Sequence, residues 1–146
     1  MPRRSFLWVA ALTFSTTIAG CNSHQPPAGP DLAPVHPVHG RITLADKSPL
    51  RGGIIWFSPM EATVGSKVRY EGAGLVDAKG NYKIGFAGND AGVAVGDYKV
   101  TIQPREDTEL PNSNSNRIPA QYREQSTTPL TATVKEGENT FNFDLK

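Results

Sequence analysis

From residue 38 onward, apolar and polar side chains alternate in short runs, and no stretch repeats apolar residues at the helical spacing of about 3.6. Val38, Gly40, Ile42 and Leu44 share one parity, with His39, Arg41 and Thr43 on the other, which predicts a half-buried strand. Ile54 to Phe57 is a continuous apolar run, entered through Gly52-Gly53 and ended by Pro59. Alternation within it sets Ile55 and Phe57 towards the core and Ile54 and Trp56 on the other face. Lys67 to Val76 is less regular, with Val68 and Tyr70 expected inward and glycines at 72 and 74. Asp77-Ala78-Lys79-Gly80-Asn81 is turn chemistry, in which Gly80 supplies a positive φ and Asp77 caps its own turn. Beyond it, Tyr82, Ile84 and Phe86 line one face, then Tyr98, Val100 and Ile102. Leu130, Ala132 and Val134 follow, and finally Phe141, Phe143 and Leu145 after the turn Glu136-Gly137-Glu138.

Seven alternating segments separated by turn signals predict an all-β fold, a seven-stranded antiparallel β-sandwich over residues 38–146. One interval breaks the rhythm. The loop at 105–128 exceeds the usual length of about 12–15 residues for structureless connections. Its polar tip, Asn112 to Asn116, is expected to be mobile, and Ile118-Pro119-Ala120-Gln121-Tyr122 to dock back onto the sheets.

The first 37 residues have a different character. Arg3 and Arg4 precede an apolar stretch from Phe6 to Ala19 that is shorter than the span of about 20 residues a membrane helix needs, and it contains Thr13, Ser15, Thr16 and Thr17. A basic start, a short apolar middle and small residues before a cut are the layout of an export signal, assigned to residues 1–20. Ile18-Ala19-Gly20-Cys21 resembles a bacterial lipobox, whose cysteine thiol takes a diacylglyceryl group and becomes the new N-terminus. The expected attachment site is therefore Cys21, the single cysteine of the chain. Several acyl chains, palmitate among them, on one residue would anchor firmly where one chain binds only marginally. Arg3-Arg4-Ser5-Phe6-Leu7 also resembles a twin-arginine signal, although Trp8 stands where a lysine is usual. Residues 21–37, with Pro26, Pro27, Pro30, Pro34 and Pro37, form a proline-rich tether suited to extended polyproline geometry. Asn22, rather than an aspartate, follows the cysteine, which favours the outer over the inner membrane. The expected location is the cell envelope, on a bacterial membrane and facing the periplasm.

Composition narrows the partners. The formal net charge is +1, and Arg3 and Arg4 leave with the signal, so no basic excess remains to hold nucleic acid. The expected partners are the membrane, through lipidated Cys21, and an envelope protein or glycan. His24, His36 and His39 lie in or beside the tether without carboxylate or thiolate neighbours, so neither a metal site nor a cofactor is expected.

Taken together, several segments carry a family pattern. They are Gly40-Arg41-Ile42-Thr43, Pro49-Leu50-Arg51-Gly52-Gly53-Ile54-Ile55-Trp56-Phe57, Gly74-x-Val76-Asp77-x-x-Gly80-x-Tyr82 and Gly96-Asp97-Tyr98-Lys99-Val100. In this order they resemble a carboxypeptidase regulatory-like domain, in the transthyretin-like (immunoglobulin-like, prealbumin-type) branch of β-sandwiches. With the lipobox ahead, and Ile118-Pro119-x-x-Tyr122 and Gly137-x-Asn139-x-Phe141 behind, the chain resembles small lipoproteins of the planctomycete type. The resemblance implies a non-catalytic module. Val76 departs from the pattern, which more often has threonine there, so a side-chain bond across that turn is absent.

No catalytic residues are assigned. A transthyretin-like hydroxyisourate hydrolase needs histidines and a closing Tyr-Arg-Gly-Ser, whereas this chain has no histidine after His39 and ends Phe143-Asp144-Leu145-Lys146. There is no Gly-x-Ser-x-Gly elbow, and Gly85 to Gly92 lacks the lysine of a phosphate loop. Glu106, Asp107 and Glu109 share one loop rather than facing each other across a cleft. Asp77 lacks the further alternating donors of a calcium loop. The expected function is that of a membrane-anchored binding, scaffolding or accessory module. The alternative is a glycan or small-molecule binding domain using Trp56, Tyr122 and the 105–128 loop, and a hydrolase is the remote third.

Overall fold

The computed structural model describes residues 29–85, 90–105 and 110–146. The signal at 1–20, Cys21, the first part of the tether, Phe86, and the acidic residues Glu106, Asp107 and Glu109 lie outside the described residues. Among those described, the fold is all-β, without an α-helix. In chain order the strands are β1 (Val35–His36), β2 (Val38–Thr43), β3 (Ile54–Pro59), β4 (Thr63–Val64), β5 (Lys67–Val68) and β6 (Gly72–Leu75). They continue as β7 (Asn81–Lys83), β8 (Val93–Ala94), β9 (Gly96–Gln103), β10 (Thr131–Val134), β11 (Asn139–Thr140) and β12 (Phe143–Asp144).

Two four-stranded sheets make the body. The first runs β10-β9-β3-β6 and is antiparallel throughout. In the second, β2 is central, with β7 antiparallel on one side and β11 and β12 parallel on the other. The layers join at one corner, where Ala73 and Gly85 exchange two backbone hydrogen bonds of 2.9 Å. Phe57 of β3 is fully buried between the layers, its ring centroid 6.4 Å from that of Tyr82 on β7 and 6.5 Å from that of Phe143 on β12. Ile55, Val100, Ile102, Ile42 and Ile84 fill the same core, so the inward parity read from alternation holds on β2, β3 and β9.

Strand lies in each of the seven expected segments, but Lys67 to Val76 is cut into β5 and β6, and β1, β4, β8 and β11 fall where none was expected. The expectation of an antiparallel fold is corrected by the end of the chain. Instead of a hairpin, the turn after β10 crosses from one sheet to the other, and the last residues add to β2 in parallel. Asn139 builds that crossing. Its amide oxygen accepts from Lys135 N–H at 2.9 Å, and its amide nitrogen donates to the Lys135 and Gly137 carbonyls at 2.8 and 3.0 Å. Alternation reports only which face a residue takes, so it is silent on strand direction.

Between β11 and β12 the ladder is interrupted. Arg41 N–H donates to the Asn142 side-chain oxygen at 2.9 Å instead of to a backbone carbonyl. The displaced Phe141 carbonyl lies over Gly40 and accepts the Tyr82 hydroxyl at 2.7 Å. A Cβ on Gly40 would sit 1.8 Å from that carbonyl oxygen, so only glycine leaves room for the crossing. Burial pushes the Tyr82 phenol well above its ordinary pKa.

Other differences have local causes. Tyr70, expected inward, is exposed, and Arg69 is buried instead, because the chain breaks between β5 and β6 and β5 pairs with β4. The later tether residues join the domain: Ala33 N–H donates to Val68 O, Val68 N–H to Asp31 O, and β1 pairs with β8. Prolines at 34 and 37 suit such edge positions, where one side of the strand needs no donor. The polar tip at 112–116, expected to be mobile, is stitched to the segment before β3. Asn114 exchanges backbone and side-chain bonds with Arg51 at 3.0 and 2.7 Å and donates to Pro49 O, while Ser115 is buried. Arg117 adds an ion pair with Asp46 at 2.7 Å. The hydroxyl of Ser48, then Arg117, hold the Asp46 carboxyl well below the usual range. The turn at Asp77 forms as read, with Gly80 at φ +83° and the carboxylate accepting from Lys79 N–H and Asn81 N–H at 2.8 Å each. Partial burial raises the Asp77 pKa, but these bonds outweigh it and the net shift is downward.

The crossing at Gly40 yields the first prediction. Gly40→Ala should lower unfolding free energy by about 3 kcal/mol, by overpacking against a backbone that has nowhere to go. The urea midpoint reads this, and a midpoint within error of the parent would contradict it.

Candidate functional site

A broad concavity lies on the outer face of the second sheet, at the corner where β7 meets β6. It encloses about 760 Å³. On β2 and β7 the residues flanking the inward Ile42 and Tyr82 point outward, which delivers Arg41, Lys83 and His39 to this face. The parallel end of the chain supplies Thr140 and Asn142, and β6 supplies Ala73 and Leu75. Gly40 and Gly74 lie in its lining, and a Cβ at Gly74 would stand 2.2 Å from Lys83 O. The His39 Nε2 and Thr140 Oγ1 atoms are 3.0 Å apart. Nucleophilic use of this pair would require a third group to orient the imidazole, and among the described residues none is hydrogen-bonded to it. Asp77, at one end, is committed to its turn. The exposed Arg41 and Lys83 side chains make the cleft a surface of donors beside an apolar wall, suited to a polar ligand or a partner loop.

The first sheet carries a second, shallower groove of about 380 Å³ on its outer face. Trp56 is at its centre, opposite Thr101 of β9 and Ala73 of β6. The indole lies on this face and is partly covered rather than fully exposed. Its Nε1 is buried without a hydrogen-bond partner among the described residues. Glu71, Gln103 and Gln125 surround it. Ser58, beside them, donates to Glu71 and accepts from Gln125 Nε2, the latter at 2.7 Å. One wall comes from Arg123 to Gln125, a contribution from the long loop that no local pattern announces. Arg123 fixes this wall by donating through Nε to Ile118 O at 3.0 Å.

Tyr122 does not join Trp56. It ends the short turn Ala120–Tyr122 and is only 4% exposed, which corrects its expected role as a contact residue. With Ile118 it wedges the loop into the core, as the docking expectation held. Its hydroxyl accepts Lys146 N–H at 3.0 Å and so ties the loop to the end of β12. Cys21, the expected lipid site, is outside the described residues.

No group of three or more metal-ligating side chains gathers among the described residues. His36 and His39 are spent separately, His36 Nδ1 accepting Gly137 N–H at 3.0 Å. No family model, curated protein or solved structure matches the chain.

Tyr122→Phe should cost about 1 kcal/mol, the usual worth of one buried hydrogen bond. It should leave the emission of Trp56 unchanged, since the two residues occupy opposite sides of the first sheet. Urea melts followed by fluorescence and by circular dichroism check both halves.

Proposed function

We propose that this protein is a lipid-anchored envelope lipoprotein, non-catalytic, whose β-domain serves as a binding, scaffolding or accessory module. The observation that carries the reading is Ile18-Ala19-Gly20-Cys21 at the end of a short apolar stretch behind Arg3 and Arg4. No helix among the described residues is long and apolar enough to cross a membrane. Anchoring by acyl chains on Cys21 requires none.

The two-layer, all-β body supports a carboxypeptidase regulatory-like sandwich of the transthyretin-like type. Within the family-like segment Gly74 to Tyr82, each distinctive residue has a structural task. Gly74 admits Lys83, Asp77 and Gly80 make the turn, and Tyr82 bonds Phe141. A segment spent wholly on the fold leaves its surface free for binding. The module would face the periplasm, on the outer membrane where Asn22 after Cys21 directs it.

A second reading has its own observation, the buried and unpartnered indole N–H of Trp56. A glycan or similar polyhydroxylated ligand offers the missing acceptor and a face to stack on the ring. Trp8 leaves with the signal, so Trp56 is the remaining tryptophan and reports binding directly. Titration with envelope glycans should shift its emission. A flat response across the panel removes this reading.

The anchor is tested by intact mass spectrometry of the membrane-extracted protein. The expected mass is that of residues 21–146 plus a diacylglyceryl group, with or without a third acyl chain, and Cys21→Ser should release the protein from the membrane fraction. An unmodified mass overturns the proposal.

A further inference from the structure

Large apolar side chains that remain exposed are not scattered over this domain. Among the described residues seven are more than a third exposed, and all but Leu75 come from residues 32–35, 60–70 and 95. The backbone brings these three stretches together. Leu32 bridges to Val68, Val35 is opposite Ala94, and Met60 N–H donates to Asp97 O at 2.9 Å. Leu32, Val35 and Tyr70 border one small hollow, floored by Val93. These apolar side chains gather on one side of the domain, beside the exposed Asp31–Lys67 pair and Glu61, and soluble domains ordinarily cover such a cluster.

It is also held rigidly. Arg69, its side chain only 3% exposed, runs beneath and donates to Val95 O, Thr63 O and Glu61, each at 3.3 Å. Gly96 makes this possible, since a Cβ there would lie 1.7 Å from the guanidinium. A buried cation thus clamps two chain segments that show their apolar side chains to solvent. Exposed and pre-formed together are the marks of a docking face rather than of frayed edges.

The position of the chain names the occupant. Among the described residues, pairing with the domain begins at Asp31, whose carbonyl accepts Val68 N–H. Cys21 is only ten residues earlier, and ten residues reach at most about 35 Å when fully extended. A domain of about 100 residues has a radius of gyration near 13 Å, so the anchor cannot reach round to its far side. Leu32 and Val35 are the first large apolar residues after Cys21, and they belong to the patch itself. The face nearest the acyl chains is therefore the apolar one. Tyr70 on its border suits the headgroup level, where amphipathic rings settle.

We propose that this apolar rim is a membrane-contact surface, which lays the domain onto the bilayer that holds the Cys21 acyl chains. The inference rests on the lipid-anchor reading. The tether is then a short leash that seats the domain rather than a spacer that lifts it clear. The cleft with Arg41 and Lys83 and the Trp56 groove then stay free, because neither is lined by the exposed residues of the rim.

The test uses the full chain carrying single substitutions Val35→Cys, Tyr70→Cys, Val95→Cys or Leu75→Cys, exported and processed so that the Cys21 thiol is already consumed. Intact mass first establishes acylation. Each new thiol then takes an environment-sensitive fluorophore, and the protein enters phosphatidylethanolamine–phosphatidylglycerol vesicles containing nitroxide-labelled lipid. The proposal expects labels at 35, 70 and 95 to shift to the blue and lose most of their emission, while the label at 75 does neither. Acylated protein whose four labels all stay bright overturns the contact surface and leaves the anchor intact. Labels at 35, 70 and 95 that shift to the blue without nitroxide quenching, in protein that cross-links to itself, make the occupant a second copy and also overturn it. An unacylated mass overturns the anchor reading and this inference with it.

Discussion

The Phe141 carbonyl lies across Gly40, and the Tyr82 hydroxyl donates to it. That crossing is the constraint on which the rest depends, because it lets the last strands lie parallel to β2 and complete the second sheet. The residues joined are about a hundred positions apart, as the Arg41–Asn142 bond shows. Contacts of such separation cost loop entropy before they return anything, so the domain is held together by a non-local closure. The core follows from it. Phe141 and Phe143 reach Phe57 only because β11 and β12 dock where they do, with ring centroids at 6.0 and 6.5 Å. The outer face follows as well, since the same docking sets Thr140 beside His39 and Asn142 beside Arg41.

Much of the fold was legible wherever a strand has one buried face. Alternation on β2, β3 and β9 named the inward residues, because a period of two admits no other assignment once one face is apolar. The Asp77 turn was legible because its chemistry is local. Ile118 and Tyr122 were legible as a docking segment because apolar residues reappear there inside a polar loop. The direction of β11 and β12 was not, since parallel and antiparallel strands share the same alternation. Nor was the fixing of Asn112 to Asn116, where asparagine and serine side chains act as substitutes for backbone partners on a distant segment. Tyr70 was misplaced because the reading ran one strand through residues 67–76, whereas the chain breaks and turns Arg69 inward.

The candidate sites were less legible than the fold, for a physical reason. Trp56 could be set on the outer face, but its groove takes one wall from Arg123 to Gln125, and the cleft with Arg41 and Lys83 draws on β2, β6, β7 and residues 140–142. Concavities made by several elements have no signature in any one of them. Glycine is the partial exception. Gly40 and Gly74 mark places where backbone approaches closely, and both line the cleft. The tether was misjudged through its prolines, which suggest a free spacer but are equally at home on edge strands. With Asp31 to His36 paired to the domain, little chain would separate the proposed anchor at Cys21 from the apolar rim.

On the proposed reading, the β-domain sits close to a membrane, with both concavities outside the apolar rim. Neutron reflectometry of the acylated protein on a supported bilayer measures this arrangement directly, as a density profile along the membrane normal. The account predicts that protein density begins at the headgroups, with no solvent layer between. A water-filled gap approaching the extended length of the spacer, about 35 Å, would contradict it.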